Sequence, residues 1–270
     1  MDYLASESTM ADDWTSYFTN FNDKVASIFV NLGLAPSVPV ATNPWRLRVR
    51  VHFKNPRPDG LSSSDESSTL FLIEDALNHQ VTRECEAITP GRITTDGHRE
   101  FCYYAATRDK FRTAVATALT GFPGYRFEVA EKLDPGWEYY LNVLYPSREQ
   151  IELIKNRQLL EVLEKQGDVI TTAREVQHWL FFPNEESRTL FRHEVKNMGF
   201  AIGYEYEMEP DEREGLSFAI TVLKTQSVAQ DLIDETVLEL YRLAERFAGD
   251  YDGWETQVTT EEHQPDNGIQ

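Results

Sequence analysis

At 270 residues, with 41% hydrophobic and 12% aromatic side chains, the chain has the length for two ordinary domains and too much apolar content for a disordered protein. Its formal charge of −19 argues against free nucleic acid as a direct ligand and favours a basic protein partner, because opposite fields steer encounter. No stretch approaches the roughly 20 apolar residues of a membrane span, and the acidic start Met1-Asp-Tyr-Leu-Ala-Ser-Glu7 is not a signal peptide, so no membrane contact and a cytoplasmic location are expected.

The first ten residues are polar and expected to be loose. Residues 14–21 and 25–32 read as strands and pair as an opening hairpin across Asn22-Asp23. Arg46-Leu-Arg-Val-Arg-Val-His-Phe53 alternates strictly, which is the period of a half-buried strand with Leu47, Val49, Val51 and Phe53 inward. The opposite face then carries Arg46, Arg48 and Arg50, continued by His52. This row is read as a solvated face or a docking surface for an acidic second domain, with a small anion-binding strip as the functional alternative. Ser63-Ser-Asp-Glu66 is expected as a capping box opening a helix with Leu70, Ile73, Leu77 and Val81 as its core stripe. Strands near 85–93 and 99–106 meet across Asp96-Gly97. A second helix carries Phe111, Val115 and Leu119. A strand at 125–129 and an aromatic extension, 137–145, complete the half. Cys85 and Cys102 both fall in expected strands, lack metal-type spacing, and read as buried free thiols.

Pro146-Ser147 marks the expected boundary between domains 1–146 and 147–270, with Ser147-Arg-Glu-Gln150 as a capping box leading a helix. Strand, helix, strand, strand, helix and strand then follow, over 176–182, 185–197, 200–208, 216–223, 228–247 and from Tyr251. Ser227 and Gln230 are expected to cap the last helix. Each half therefore reads as the split βαββαβ arrangement. The fold class is α+β: two tandem ferredoxin-like domains with antiparallel sheets.

Charge is uneven along the chain. Residues 1–145 hold 14 basic and 19 acidic side chains, and residues 146–270 hold 12 and 26, so the halves carry −5 and −14. Glu205, Glu207 and Glu209 alternate with Tyr204, Tyr206 and Met208, and Asp211 and Glu212 extend the run. These are candidate contacts for a basic segment, since packed like charges store repulsion that a cation relieves. Their spacing is not a calcium loop, and His178 and His193 have no third ligand near in sequence, so no metal and no cofactor are expected. Tyr251, Asp252 and Trp254 of the Tyr-Asp-Gly-Trp turn read equally as an aromatic-acidic anchor for a partner or as a ring packed under the long helix beside a bulge at Gly253. No nucleophile with a base beside it appears, and no phosphate loop or nucleophile elbow.

The helix 231–247 with the Tyr251-Asp-Gly-Trp254 ending closely resembles the regulator of ribonuclease E activity B family. Met198-Gly-Phe-Ala-Ile-Gly-Tyr204 and Leu159-Leu-Glu-Val-Leu163 are looser matches. That resemblance implies a non-enzymatic protein that binds a ribonuclease and restrains RNA degradation. The chain departs from the bacterial regulator in lacking a long acidic tail and in carrying an extra N-terminal domain. The first half is similar to the domain of unknown function numbered 695. The segments carrying this likeness include Lys24-Val-Ala-Ser-Ile-Phe-Val-Asn-Leu-Gly-Leu34, Asn55-Pro-Arg-Pro-Asp-Gly60, Gly91-Arg-Ile-Thr-Thr-Asp-Gly97 and Asp134-Pro-Gly-Trp-Glu-Tyr-Tyr-Leu141. That likeness implies no activity. The alternatives are an enzyme with its site between the domains and a general interaction adaptor.

Overall fold

The protein is described from a computed structural model over residues 12–209, 213 and 215–260. The chain forms two compact units that divide between Pro146 and Ser147.

The first unit runs β1 (Trp14–Phe21), β2 (Lys24–Asn31), β3 (Trp45–His52), α1 (Ser64–Cys85), β4 (Ile88–Thr95), β5 (His98–Ala105), α2 (Phe111–Leu119) and β6 (Phe127–Leu133). Its strands pair antiparallel in the order β1-β2-β4-β5-β3-β6. The part β4-β5-β3-β6, with its two helices, is the split βαββαβ sheet, and the β1–β2 hairpin is added beside β4. Both expected hairpin turns form. Asn22 and Asp23 have φ of 50° and 61°, and Asp96 and Gly97 have 44° and 76°, the left-handed pair that matches strand twist.

The stripe of α1 and the inward face of β3 meet as read from their periods. Leu47, Val49, Val51, Leu70, Ile73, Leu77, Phe111 and Val115 are fully buried and share one core with Phe53. The start of α1 differs from expectation. Ser63 makes no side-chain cap bond, and Glu66 instead accepts the backbone N–H groups of Lys54 (2.8 Å) and Asn55 (3.1 Å), tying the helix to the end of β3. The helix also continues through Cys85 to a left-handed Glu86 at φ 50°, so Cys85 is helical and not in a strand. Both cysteines are free and buried.

The sheet of this unit is packed on both faces. Away from the helices, Tyr17, Ile28, Val30, Ile93 and Tyr104 are buried, and a π-helical turn, Tyr140–Leu144, lies over β2 and β4. Trp137 stacks on Tyr104 at 3.9 Å between ring centroids and donates its indole N–H to the Asn43 carbonyl (3.1 Å). The Tyr17 and Tyr140 hydroxyls donate to the carbonyls of Leu144 (3.0 Å) and Asn31 (2.8 Å). Each large aromatic thus buries its ring while its polar tip keeps a partner.

The second unit runs α3 (Arg148–Lys165), β7 (Arg174–Phe182), α4 (Glu185–Asn197), β8 (Ala201–Glu207), β9 (Phe218–Gln226), α5 (Gln230–Arg246) and β10 (Asp250–Thr256). Its sheet is antiparallel in the order β10-β7-β9-β8, again the split arrangement. The Ser147–Gln150 capping box forms in both directions. At α5 the expected box does not form. The residue before the helix is Ala229, and the Ser227 hydroxyl only accepts the Ala229 N–H (3.4 Å). Leu160 and Leu163 of α3, Phe191 and Val195 of α4, and Val237, Leu240 and Ala244 of α5 share one core with Val176, Leu180, Ile220 and Val222 of the sheet.

Candidate functional site

The acidic run lies on an edge strand. Among the described residues β8 pairs only with β9, so one side of its backbone has no strand neighbour there. A bulge between Ile202 and Glu205 interrupts the pairing. It arises at Gly203, where a Cβ would collide with the Thr221 hydroxyl, and that hydroxyl accepts the Tyr204 N–H (2.7 Å). Glu205, Glu207 and Glu209 are exposed, as are Tyr204 (67%) and Tyr206 (41%). Glu205 is held by Arg192 of α4 at 3.0 and 3.1 Å. Glu207 and Glu209 have no ion-pair partner among the described residues. Arg188, also of α4, donates to the carbonyls of Tyr206 (3.0 Å) and Ala219 (3.1 Å), which fixes the helix against this edge. Asp211 and Glu212 lie outside the described residues.

The Tyr-Asp-Gly-Trp turn is built differently from an exposed anchor. Trp254 is 8% exposed and Tyr251 2%, and both belong to the core of the second unit. The indole N–H of Trp254 donates to Asn156 Oδ1 (2.8 Å), and Asn156 Nδ2 donates to Asp234 (2.8 Å). This chain of bonds joins β10, α3 and α5. Gly253, at φ 152°, takes the bulge that lets Tyr251 and Trp254 both point inward. A free aromatic anchor needs an accessible ring, and burial leaves neither ring in that role; Asp252 alone of the motif is on the surface, paired with Arg213 (2.9 Å). Arg213 also pairs with Asp250, and its guanidinium lies 4.0 Å over the Phe181 ring. Partial burial would lower the Arg213 pKa, but the hydrogen bonds of Asp252 and Asp250 outweigh it and raise the pKa.

Under the motif sits a buried pair that spacing alone did not mark. His178 is fully buried and lies 2.9 Å from the Tyr251 hydroxyl through Nδ1. Burial, with a smaller push from Lys224, brings its pKa down to about 3, and burial raises that of Tyr251. The imidazole is therefore neutral at ordinary pH. His193, on α4, is not part of this pair.

The arginine row of β3 finds its partners within its own unit. Glu100 of β5, its side chain 7% exposed, lies 3.1 Å from Arg50 and 3.5 Å from Arg48, and accepts the Tyr139 hydroxyl (2.6 Å). The Arg46 guanidinium stacks 4.2 Å over the Tyr139 ring. His52 reaches Glu128 of β6 at 2.8 Å. Sequence reasoning marked the row and missed Glu100 and Tyr139; strand pairing of β3 with β5, which sets Arg50 opposite Glu100, is the signal that finds them.

Among the described residues, no group of three or more His, Cys, Asp or Glu is placed to hold a metal ion, and no helix is long and apolar enough to cross a membrane. A polar cavity of about 720 Å³ runs along β10 and the start of β7, but its Arg174 is locked to the fully buried Asp168 (2.8 Å).

No curated protein matches the chain. A solved structure described as "Crystal Structure of an Unknown Protein from Galdieria sulphuraria" is similar at 13% identity, over 80% of this chain and 99% of that one, with a TM-score of 0.23, too low to support a further step. Residues 12–145 match the sequence model of the Family of unknown function (DUF695). Residues 153–256, which span α3 to β10, match that of Regulator of ribonuclease activity B, a family of regulators rather than enzymes. The chain therefore joins a DUF695 segment to a Regulator of ribonuclease activity B segment.

Proposed function

We propose that the second unit binds a basic segment of a ribonuclease of the ribonuclease E type and restrains it by occupation, without chemistry of its own. The observation that carries this reading is the match of residues 153–256 to the regulator family. The physical support is the exposed edge at β8. Among the described residues Glu207 and Glu209 have no ion-pair partner and stand beside Tyr204 and Tyr206, so a cationic segment meets uncompensated charge and aromatic faces together. The half-chain charge of −14 extends that field and speeds encounter.

The test is binding of the full chain to a purified ribonuclease E regulatory segment across a salt series, with RNA cleavage measured in parallel. Association is expected to slow as salt rises, because exposed charges are screened over about 8 Å at physiological ionic strength. The Glu207→Lys and Glu209→Lys pair should slow it further. Binding that ignores both salt and these substitutions discards the β8 edge. No binding and no inhibition of any ribonuclease from the same cell discards the function.

A further inference from the structure

The β1–β2 hairpin carries the first sheet beyond the two helices, so the helix-side surface of β1, β2 and β4 is left with α1 on one flank only. A cavity of about 350 Å³ lies there, within the usual range of roughly 300–1,000 Å³ for small-molecule sites. Trp14, Phe29 and Phe101 supply its apolar lining, and Glu74, Asn78 and Arg92 its polar groups. Gly91 closes the floor, where a Cβ would collide with the Phe29 carbonyl.

We propose that this cleft binds a small molecule that couples an aromatic body to a single carboxylate. The charge count sets the carboxylate. Arg92 Nε lies 3.0 Å and Arg99 Nη1 3.5 Å from the same oxygen of Glu74, and no other carboxylate pairs with either arginine among the described residues. Two guanidinium groups on one carboxylate leave one positive charge in excess. The three side chains are only 13%, 6% and 15% exposed, so water does little to screen it.

The hydrogen bonding of the cluster is incomplete as well. Arg99 Nε donates to Thr94 Oγ1 (3.1 Å), while Arg92 Nε, Arg99 Nη1 and Glu74 Oε2 are buried without a well-directed hydrogen bond. Burial lowers the pKa of Arg99 to about 10, with Arg92 adding to the effect against Glu74, and it lowers that of Arg92 too. A second carboxylate in the cleft would relieve both the charge and the bonding.

The aromatic groups set the rest of the ligand. The Arg92 guanidinium lies 4.4 Å from the Phe29 ring centre and 5.9 Å from that of Phe71, and Trp14 stacks on Phe29 at 4.9 Å. A guanidinium packed over a ring still offers its N–H groups to a carboxylate. Asn78 accepts the Tyr103 hydroxyl at Oδ1 (2.9 Å), which leaves Nδ2 as a donor. Trp14, 38% exposed, lines the cleft and offers an apolar face to a flat ring, and Phe71, 51% exposed, lies beside Arg92.

The test is calorimetric titration of the full chain with naphthoate, its neutral amide naphthamide, and inorganic phosphate. Saturable naphthoate binding is expected, with naphthamide about tenfold weaker or more, the usual worth of one charge-assisted hydrogen bond, and no phosphate binding. Arg92→Gln should lose about tenfold on naphthoate and leave naphthamide unchanged. Trp14→Ala, at a half-exposed ring, should weaken both. Glu74→Gln should tighten naphthoate, because it removes the resident carboxylate that competes for Arg92 and leaves the excess positive charge larger. Where Arg92→Gln fails to fold by circular dichroism, the Trp14 and Glu74 variants decide. Absence of naphthoate binding to the folded wild type, equal affinity for the amide, or weaker naphthoate binding by folded Glu74→Gln would each overturn the proposal.

Discussion

The two units share the split βαββαβ core and differ in how they group charge. In the first, carboxylates are drawn inward: Glu100 sits among Arg48, Arg50 and Tyr139, and Glu74 between Arg92 and Arg99. In the second, buried carboxylates pair one to one, Asp168 with Arg174 and Glu152 with Lys155, and two buried contacts join neutral side chains: His178 with Tyr251, and Trp254 with Asn156. Much of the rest of its acidity is exposed, as at Glu205, Glu207 and Glu209 on and just past β8. A buried ion cluster adds little stability and much selectivity, because each member is costly to leave unpaired. A surface of like charge adds nothing to the fold and attracts a cation. The split βαββαβ topology is thus the same scaffold for a pocket in one half and a charged edge in the other, and it carries neither function by itself.

The largest effect that sharpens this comparison is expected at Trp137. Its removal empties part of the layer on the second face of the first sheet and leaves Tyr104 unstacked. Trp137→Ala should cost about 3–5 kcal/mol, the range for deleting a large buried aromatic. Leu77→Ala on the helix face should cost about 2–5 kcal/mol. Denaturant midpoints of the full chain read both. We propose that 147–270 folds alone, and that fragment supplies the reference curve for the second unit. An insoluble fragment, or a Trp137→Ala chain in which both transitions shift together, would mean that the halves fold as one.

Acid should then separate the units. His178 has an ordinary pKa of 6.5 and is brought down to about 3 in the folded protein. Between those values the unfolded chain binds the proton and the folded chain does not, so stability rises with pH. The contribution is complete above about pH 6.5 and is lost progressively as pH falls toward 3, by up to about 1.4 kcal/mol for each pH unit. His178→Gln should flatten that part of the curve for the second unit only. An unchanged pH profile would show that the imidazole is accessible to solvent protons in the native state.

Asn156 tests the neutral network directly. Asn156→Ala leaves the Trp254 indole N–H without its acceptor and Asp234 with one donor fewer, at an expected cost of about 1–3 kcal/mol. The midpoint of the second unit should fall and that of the first should not move. Trp254→Ala should act in the same way, as a loss of stability and not as a change in the off-rate of a partner.

How far the sequence was legible follows from what each signal measures. The stripes of β3 and α1 and both two-residue hairpin turns were readable because period and turn chemistry are local. The helical reach of Cys85 was not, since nothing local stops α1 before Glu86 takes a left-handed conformation. Ser63–Glu66 had the spacing of a capping box, yet two backbone N–H groups just past β3, of Lys54 and Asn55, captured Glu66, a tertiary contact that spacing does not encode. The Tyr-Asp-Gly-Trp turn could be read inward or outward. Asn156, 98 residues from Trp254, decided it. The cleft beside α1 was invisible for the same reason: Trp14 and Phe29 of the hairpin meet Glu74, Asn78 and Arg92 only once the hairpin is placed on the β4 edge.

The smallest effect on stability should come with the largest effect on binding. Glu207→Lys and Glu209→Lys alter exposed side chains without ion-pair partners among the described residues, so each should change unfolding free energy by no more than about 0.5 kcal/mol. If the acidic edge steers a basic segment, the same changes reverse the local field and slow association, and they flatten its dependence on salt. Glu205→Lys is the internal contrast. Glu205 is already satisfied by Arg192, so its replacement sets two cations together and should cost more stability than either neighbour. Measuring the three variants side by side, for midpoint and for association rate, separates an edge that attracts a partner from an edge that is only solvated. Equal association rates for wild type and the Glu207 and Glu209 variants would leave β8 as the latter.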